Sequence, residues 1–367
     1  MASQSFRNGL DPRWTRCSAS GVLIHARLPV TCERMEDRFG HRISYLRVSI
    51  TDRCNERCAY CMPQELQEWL PRAEILTFEE TLRLIRIGAE LGISKVRVTG
   101  GEPLTRRDAL GFIRRIREIS SIKSIGLSTN GTLLAGEVAP GRTMAGALRA
   151  AGVQSLNISL DTLDRQVYAR ITGRDFHQRV LQGIDAAIAA GFEQIKLNTV
   201  LMRGRNEDQL IPLVEFAGQR GLILRFIEMM PVSTAAVLDE DNFLSVREAK
   251  RLIESVYGNL IPQSEFRTNG PAVYYQVPGR GQRIGFIGAM TNLHFCESCN
   301  KLRLTCDGKL RPCLGSSLEF DIMKPLRAGA TDDELKQFFL DVVARKPQQH
   351  DFRNNYQPNR KMIAIGG

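Results

Sequence analysis

Two groups of cysteines contain the residues best suited to chemistry. The first is Cys54-x3-Cys58-x2-Cys61, with Tyr60 beside its last member. Three thiolates at this spacing can bind three irons of a four-iron cluster, which leaves the fourth iron without a protein ligand. Such an open iron can bind a small molecule, as catalytic metal sites require. A zinc site is the alternative, but it needs a fourth Cys or His nearby, and the nearest histidine, His41, precedes the group.

The second group is Cys296-x2-Cys299-x6-Cys306-x6-Cys313. All four thiols could bind a structural zinc ion. An iron-sulfur cluster is the alternative, and a family resemblance given below implies Cys296, Cys299 and Cys313 as its ligands and Cys306 as a spare thiol. Clustered cysteines of this kind favour metal ligation over disulfides. We favour the iron-sulfur cluster.

Basic residues on predicted strands suggest an anionic ligand. Strand alternation puts Lys95 and Arg97 on one face, so both lie in a site or both lie in solvent. Cations inside a barrel are costly unless a ligand neutralises them. The net charge of +10 agrees with an acidic partner, but basic and acidic residues are interspersed, which favours a nucleotide over a nucleic acid. The cations on strands or at strand ends are Arg47, Lys95, Arg97, Lys196 and Arg225.

Alternating strand and helix patterns must position these residues. The predicted strands are Tyr45 to Ile50, Lys95 to Thr99, Ile125 to Thr129, Ser155 to Leu160, Gln194 to Val200 and Leu222 to Ile227. The helical patterns include Phe78 to Leu91, Ala109 to Ile119, Phe176 to Ala190 and Glu207 to Ala217. This alternation predicts an α/β fold with a parallel sheet, and six units favour an incomplete (β/α)6 barrel of the TIM type.

Polar clusters follow the carboxyl ends of nearly all these strands, where barrel active sites are built. The first cysteine group follows the first strand, and Gly100-Gly101-Glu102-Pro103 follows the second. Paired glycines permit close backbone approach, and Glu102 or backbone carbonyls could receive an ammonium group. A tight turn without a ligand is the alternative for this segment taken alone.

The regular alternation stops near residue 260. We therefore predict a partial barrel at 41–260 and a closing domain at 261–367 that contains the second cysteine group. We also predict a disordered extension at 1–40. A transit peptide is the alternative for the extension, and a frayed end is the default prediction for the C-terminal tail. No apolar run is long enough to cross a membrane, so we expect no membrane association. The expected compartment is the cytoplasm, or the mitochondrion if the extension is a transit peptide.

The residues Cys54, Cys58, Tyr60 and Cys61 match the signature loop of radical S-adenosylmethionine enzymes. Cys296-x2-Cys299-x13-Cys313 is similar to the auxiliary-cluster motif of the GTP 3',8-cyclases of molybdenum cofactor biosynthesis, and the resemblance extends from about Arg42 to Gly367. It implies two 4Fe-4S clusters and S-adenosylmethionine as cofactors and GTP as substrate. The implied reaction converts GTP to 3',8-cyclo-7,8-dihydro-GTP, the first step of that pathway.

The same resemblance implies roles for individual residues. Ser159 could instead be a helix N-cap, and Met230 could simply pack in the core. Lys301 and Ser128 depart from the Arg and Thr of the family. The implied cofactor contacts are Tyr60, Gly101, Ser159 and Met230. The implied substrate contacts are Arg47, Arg97, Ser128, Lys196, Lys301, Leu302 and Arg303. The implied catalytic tail is Gly366 and Gly367, which enters the cavity.

The implied functional partner is the pyranopterin monophosphate synthase of the same pathway, and a homodimer is compatible with the sequence. We expect no nucleic-acid partner. One rival function is a radical enzyme that modifies a peptide and contains an auxiliary cluster, for which a longer cysteine array is expected. The other is a basic zinc protein that binds RNA, for which we expect bound zinc and an affinity that falls steeply with salt.

Overall fold

A twelve-stranded sheet organises the computed structural model, which describes residues 35–62, 68–232, 241–354 and 356–366. Two further strands, β4 and β5, form a separate hairpin. The strands are β1 (Tyr45–Ser49), β2 (Lys95–Thr99), β3 (Ser124–Thr129), β4 (Glu137–Ala139), β5 (Arg142–Thr143), β6 (Ser155–Ser159), β7 (Gln194–Leu201), β8 (Ile223–Glu228), β9 (Ile261–Pro262), β10 (Val273–Gln276), β11 (Arg283–Ile287), β12 (Lys301–Leu304), β13 (Lys309–Arg311) and β14 (Phe320–Asp321).

Several helices begin at a side-chain cap. In the first of them, Thr77 and Glu80 form a capping box that satisfies the free N–H groups of the first turn. Among the described residues, no helix is both long and apolar enough to cross a membrane. The helices are α1 (Phe78–Glu90), α2 (Ala109–Arg117), α3 (Met144–Ala150), α4 (Arg165–Thr172), α5 (His177–Ala189), α6 (Leu210–Gln219), α7 (Val246–Tyr257), α8 (Met323–Arg327), α9 (Asp332–Ala344) and α10 (Met362–Ile365).

The large sheet has the strand order β14-β13-β12-β1-β2-β3-β6-β7-β8-β11-β10-β9. All pairs from β12 to β11 are parallel, and helices connect consecutive strands from β1 to β8. In the described residues the edge strands β14 and β9 do not pair with each other, so the barrel is incomplete. The predicted α/β partial barrel is confirmed, with its six strands adjacent and in order.

The residues beyond 260 extend both edges of this sheet. Strand β11 pairs with β8, and β12 pairs with β1, each in the parallel sense. The C-terminal residues therefore flank the barrel strands on both sides instead of forming a sheet of their own. The division into 41–260 and 261–367 remains a prediction, and the two parts share one sheet.

The start of the described chain corrects the predicted extension. The side chain of Met35 is fully buried, its N–H donates to the Leu91 carbonyl over 3.2 Å, and its carbonyl accepts from the Ile43 N–H over 2.8 Å. Met35 and Asp37 are therefore packed, although the other residues up to Gly40 are exposed, and the prediction of disorder is wrong for this packed start. Residues 1–34, with the possibility of a transit peptide, lie outside the described residues.

Strand alternation separates an outer apolar layer from a polar interior. On β2, Val96 and Val98 are fully buried in the hydrophobic core beneath the helices, whereas Lys95 and Arg97 line an interior cavity. Leu127 on β3 is likewise fully buried in the core. The apolar face stabilises the fold by removing its surface from water, which leaves the other face available for a ligand.

The stability of the helical layer can be tested at Phe112 on α2. Its ring is fully buried and stacks on Phe78 with the ring centroids 4.5 Å apart. We expect Phe112→Ala to lower the free energy of unfolding by about 3–5 kcal/mol, because the truncation leaves a cavity. The measurement is urea unfolding of cluster-free protein.

Leu293→Ala is the control, because Leu293 is 76% exposed and its truncation should change the free energy of unfolding by less than about 0.5 kcal/mol. Equal shifts for the two variants would contradict the packing role of Phe112.

Candidate active site

A cavity of about 360 Å³ opens at the carboxyl ends of the parallel strands. Its size suits a nucleotide-sized ligand. Both cysteine groups reach its wall, with the exception of Cys306. The other predicted site residues that line it are Arg47, Tyr60, Arg97, Gly101, Ser128, Ser159, Lys196, Met230, Lys301 and Arg303.

The first trio, Cys54, Cys58 and Cys61, lies in a loop that follows β1. The backbone N–H groups of Arg57 and Ala59 donate hydrogen bonds of 2.7 and 2.9 Å to carbonyls at the end of α4. These bonds hold the loop in place. None of the three cysteines forms a disulfide. Burial raises the pKa of each thiol above its ordinary value. A metal reverses that preference, because it binds and stabilises the thiolate.

Carboxylates surround the first trio. Burial raises the pKa of Glu56 to about 7, and its carboxylate accepts a hydrogen bond from the Tyr168 hydroxyl. Burial also raises the pKa of Asp161 to about 6. This carboxylate accepts a hydrogen bond of 2.7 Å from the Tyr60 hydroxyl. The Tyr60 ring is thereby fixed beside the trio. The surroundings of the first trio are acidic.

The glycine pair after β2 packs directly against the cysteine loop. The Gly101 N–H donates to the Thr51 carbonyl over 2.8 Å. A Cβ atom on Gly101 would lie 2.4 Å from the carbonyl oxygen of Arg53, which is backbone and cannot rotate away. Gly101 therefore lacks a side chain for a structural reason that the sequence did not show, in addition to its place in the cavity wall.

Glu102 has a different position from the one expected. Its carboxylate accepts hydrogen bonds from the Thr129 hydroxyl over 2.9 Å, the Asn130 N–H over 2.7 Å and the Leu104 N–H over 3.0 Å. It is fully buried and does not line the cavity. The expectation that it receives an ammonium group is therefore not supported. Glu102 fixes the turn after β3.

The alternatives for Ser159 and Met230 have different outcomes. The helix N-cap prediction for Ser159 is wrong, because Asp164 caps α4 by accepting the Val167 N–H over 2.8 Å. Ser159 ends β6 at the cavity wall. Met230 lines the cavity and also packs against a small apolar cluster with Phe352, so the packing prediction is confirmed and the cofactor contact stays a prediction.

Three arginines lie side by side across the inner face of the sheet. Arg303 on β12 is the register partner of Arg47 on β1, which in turn is the partner of Arg97 on β2. Like charges directly opposite each other are destabilising. Such a row favours binding of a polyanion, whose charges would offset the repulsion.

Arg97 is held in place by its neighbours and is only 3% exposed. Its guanidinium donates to the Tyr45 hydroxyl over 2.7 Å and to the Ser155 hydroxyl over 2.9 Å. Gly126 makes this reach possible, because a Cβ atom there would lie 2.5 Å from a guanidinium nitrogen of Arg97. Lys95 lines the same cavity, so the predicted pair on one strand face does lie in the site.

The buried lysine of β7 shows the cost of this positive charge. Burial and, to a smaller extent, the nearby charges of Arg225 and Arg97 together lower the pKa of Lys196 to about 7. Burial also lowers the pKa of Arg303, to about 9. Neither cation is neutralised by a carboxylate among the contacts of the described residues. A bound anion would restore the charged forms.

The second trio lies at the opposite wall of the cavity. Cys296 and Cys299 precede β12, and Cys313 follows β13. Cys306 is buried beside Asp307 and Asp52, away from the cavity. In the described part of the chain, no three His, Cys, Asp or Glu side chains are arranged to hold one metal ion.

A zinc ion draws its four ligands to within about 2.3 Å of one point, whereas the thiolates of a four-iron cluster bind separate irons. The zinc alternative with four thiols is therefore not supported. Each trio does fit an iron-sulfur cluster, because it supplies three thiols outside any disulfide at the wall of a cavity.

Basic groups surround the second trio. The Lys346 ammonium lies 3.4 Å from the Cys299 sulfur. Burial raises the pKa of Cys299, but the charges of Lys346 and Lys301 outweigh burial and leave it below its ordinary value. The two trios therefore lie in opposite electrostatic surroundings, although the same residue type supplies the ligands in both.

The C-terminal tail is packed into the cavity mouth. Ile363 lines the cavity and the side chain of Ile365 is 1% exposed. The Gly366 carbonyl accepts a hydrogen bond from the Arg303 guanidinium over 3.0 Å. Gly366 has a φ of 85°, and a Cβ atom on it would lie 2.5 Å from a methyl carbon of Thr99. The prediction of a frayed end is wrong here, and Gly367 lies outside the described residues.

Ion pairs hold this tail from the side. The Arg360 guanidinium lies 2.8 Å from an Asp307 oxygen and 2.6 Å from a Glu319 oxygen. Glu319 also pairs with the fully buried Arg311 over 2.7 Å. This network fixes the residues just before α10, which in turn positions Gly366.

Comparison with known proteins decides the family. Residues 48–217 match the model of the radical SAM superfamily, and residues 222–352 match that of Molybdenum Cofactor Synthesis C. A protein named GTP 3',8-cyclase from Moorella thermoacetica is 44% identical over 91% of this chain and 100% of its own length. Its namesake from Thermodesulfovibrio yellowstonii is 43% identical over the same shares. The chain belongs to the GTP 3',8-cyclase family.

Solved structures agree with the fold of this family. Streptococcus suis SuiB bound to S-adenosylmethionine has a TM-score of 0.57 at 16% identity, over 85% of this chain and 68% of its own. The structure of anSMEcpe with bound AdoMet has a TM-score of 0.53 at 14% identity, over 84% of this chain and 82% of its own. At these identities the likeness concerns the fold alone.

One residue of the predicted GTP 3',8-cyclase substrate segment points away from the site. Leu302 on β12 is 1% exposed and packs in the hydrophobic core. Lys301 and Arg303, its neighbours on the strand, line the cavity. The Leu302 side chain cannot reach the cavity, because alternate strand residues face opposite sides, and the predicted contact of Leu302 with the substrate stays a prediction. Only its backbone remains available.

Sequence reasoning missed several groups in this cyclase site. The Asn157 side-chain oxygen is buried and has no hydrogen-bond partner among the described residues. Asn157 and Tyr45 each lie two positions before a predicted site residue on the same strand, so alternation could have found them. Glu56 lies between two cysteines of the first trio in sequence, and Asp161 follows the end of β6, so both also had a local signal. Lys346 had none, because only tertiary contacts bring it to the thiols. The missed residues are Tyr45, Glu56, Asn157, Asp161 and Lys346.

The packing of the glycine pair gives a test of the first metal site. We expect Gly101→Ala to displace the cysteine loop and to remove the iron of the first trio, so that anaerobically reconstituted protein retains about four of about eight irons. The measurement is iron and sulfide content per chain. Gly146→Ala is the control, because the nearest atom to its new Cβ is 3.5 Å away. Full iron content in Gly101→Ala would refute the steric role.

Proposed function

We propose that this protein is a radical SAM lyase that converts GTP to 3',8-cyclo-7,8-dihydro-GTP, the first step of molybdenum cofactor biosynthesis. Its cofactors are two 4Fe-4S clusters and S-adenosylmethionine. The observation that supports this best is one cavity with a thiol trio at each wall and a row of buried arginines between them. When bound, the first cluster and S-adenosylmethionine supply the one-electron chemistry that activates the ribose of GTP.

In this proposal the first trio holds the catalytic cluster, and Tyr60, Gly101, Ser159 and Met230 bind S-adenosylmethionine. All four line the cavity on the side of the first trio or near it. The hydrogen bond from Tyr60 to Asp161 keeps the phenol ring in a fixed orientation. A fixed wall of this kind orients the cofactor and excludes water from the reacting atoms.

GTP binds across the cations in this proposal. Arg47, Arg97 and Arg303 form the row, and Lys196 lies three strands beyond Arg97 on the same inner face. Their charges suit a triphosphate, because a buried polyanion offsets the repulsion among them. The other proposed substrate contacts are Ser128, Lys301 and the backbone of Leu302.

The second trio holds the auxiliary cluster in this proposal and faces the guanine base. Gly366 and Gly367 complete the site as the catalytic tail. The hydrogen bond from Arg303 to the Gly366 carbonyl supports this, because it joins the tail to a substrate-binding residue. Substrate binding and tail position are therefore coupled through one guanidinium.

We also propose that the product passes to a pyranopterin monophosphate synthase, that the enzyme works as a homodimer and that it acts in the cytoplasm. These proposals rest on the resemblance in sequence. The rival functions have less support. A peptide-modifying enzyme gives no reason for the buried arginine row, and an RNA-binding zinc protein gives none for two separate thiol trios in one cavity.

The decisive experiment is anaerobic reconstitution with iron and sulfide, followed by reductant, S-adenosylmethionine and GTP. We expect mass spectrometry to detect 5'-deoxyadenosine and the cyclised nucleotide. Cys58→Ser should abolish both products, because the first trio loses a ligand. Cys306→Ser is the matched control and should retain both, because Cys306 lies away from the cavity. Formation of 5'-deoxyadenosine with GTP unchanged would refute the proposed substrate.

The low pKa of Lys196, about 7 in the free protein, predicts a pH dependence of GTP binding. Binding of a triphosphate raises this pKa, so affinity is complete below pH 7 and falls as the pH rises above it, by up to about tenfold per unit. Isothermal titration calorimetry at pH 7 to 9 measures the affinity and the proton uptake. Lys196→Arg should bind with little pH dependence, because its charge persists. Equal slopes in both proteins would contradict this role of Lys196.

A further inference from the structure

Lys346, just beyond α9, is a buried cation with an unusual set of contacts. It is 3% exposed. Its ammonium lies 2.6 Å from the Pro312 carbonyl oxygen, 3.4 Å from the Cys299 sulfur and 3.5 Å from the Lys301 carbonyl oxygen. Within the described part of the chain, Lys346 forms no ion pair with Asp or Glu. The sulfur is therefore the group that can supply negative charge.

These contacts join two separate segments of the second trio. Cys299 lies before β12, while Pro312 immediately precedes Cys313. One ammonium thus bonds to a ligand of one segment and to the backbone beside a ligand of the other. A buried lysine without negative charge nearby is strongly unfavourable, so this arrangement is stable when the thiol is ionised, as it is in a metal complex.

The charged group in contact with Cys58 of the first trio has the opposite sign. The group nearest to Cys58 is the Glu56 carboxylate, whose oxygen lies 3.9 Å from the sulfur. Positive charge and N–H···S hydrogen bonds stabilise the reduced, more negative state of an iron-sulfur cluster, whereas nearby carboxylates destabilise it. The two sites therefore differ in the sign of their nearest charge.

We propose that Lys346 is a positioning residue that donates a hydrogen bond to the Cys299 thiolate and makes the auxiliary cluster easier to reduce than it would be without this cation. The proposal rests on the assignment of Cys296, Cys299 and Cys313 as the ligands of the auxiliary cluster. The role is electrostatic and structural, and the residue does not touch the substrate.

The test measures the reduction potential of the auxiliary cluster alone. A background in which the three cysteines of the first trio are alanine leaves only that cluster, and a potentiometric titration followed by electron paramagnetic resonance gives its midpoint. We expect Lys346→Met to shift the midpoint to a more negative potential. At the midpoint of the background protein, the reduced fraction of this variant should fall severalfold.

Two control variants test whether the effect depends on the charge of Lys346 and on its contact with the cysteine. Lys346→Arg keeps the cation and should retain most of the original potential. Lys336→Met makes the same change within α9, where the lysine pairs with Glu90 over 2.8 Å instead of with a cysteine, and should leave the potential unchanged. An unchanged midpoint in Lys346→Met with full iron content overturns the proposal.

Loss of the cluster from Lys346→Met is also informative. Lys346→Gln keeps an N–H donor without the charge, and the same titration on that variant then decides the role of the charge. If both neutral variants lose iron while Lys346→Arg retains it, the cation is needed to hold the ligand segments together, as proposed. Loss from Lys346→Arg as well overturns the proposal.

A separate measurement tests the assignment on which the proposal rests. Cys299→Ala in the same background should lose its iron. If about four irons per chain remain, the second trio does not hold the auxiliary cluster, and the proposed function fails on that point whatever the result at Lys346.

Discussion

Positive charge buried without an equal negative charge is the constraint on which this site depends. The arginine row of Arg303, Arg47 and Arg97 lies on adjacent strands in register, so its members repel each other inside a cavity. Burial of such charge is tolerated because the opposite face of the same strands packs in a large apolar core. The carboxylates that could have neutralised the row lie instead at the first trio. The apolar face of the sheet stabilises the fold, and the cavity face is available to bind a ligand.

The sheet order explains how distant cysteines meet. Strand β12 pairs in parallel with β1, so the segment that contains Cys299 lies beside the first barrel strand although the two are far apart in sequence. Strand β11 extends the opposite side and leads into the same segment. The C-terminal region therefore closes the cavity from both edges of the open barrel. A closed eight-stranded barrel would have left no edges for these strands.

Patterns in consecutive residues predicted the features of the fold and site that depend on consecutive residues. The six barrel strands and the thiol trios were identified because alternation and ligand spacing are visible in consecutive residues. Leu302 was assigned as part of a motif, and strand alternation leaves only its backbone on the cavity side. Residues 35–40 were predicted to be disordered, yet Met35 packs against α1 by a contact that no local pattern shows. Lys346 could not have been found, because only the folded chain brings it to Cys299.

Tyr45 makes the net charge of the cavity able to change near neutral pH. Burial raises the pKa of this phenol, but Arg97, Arg47 and Lys95 outweigh burial and lower it to about 8. Lys196 on the same inner face can lose its proton in the same range. The cavity is therefore a charge-regulating surface, since its net charge adjusts to whatever occupies it. An approaching anion meets a field that strengthens as it enters, and the vacated site relaxes to a less repulsive state.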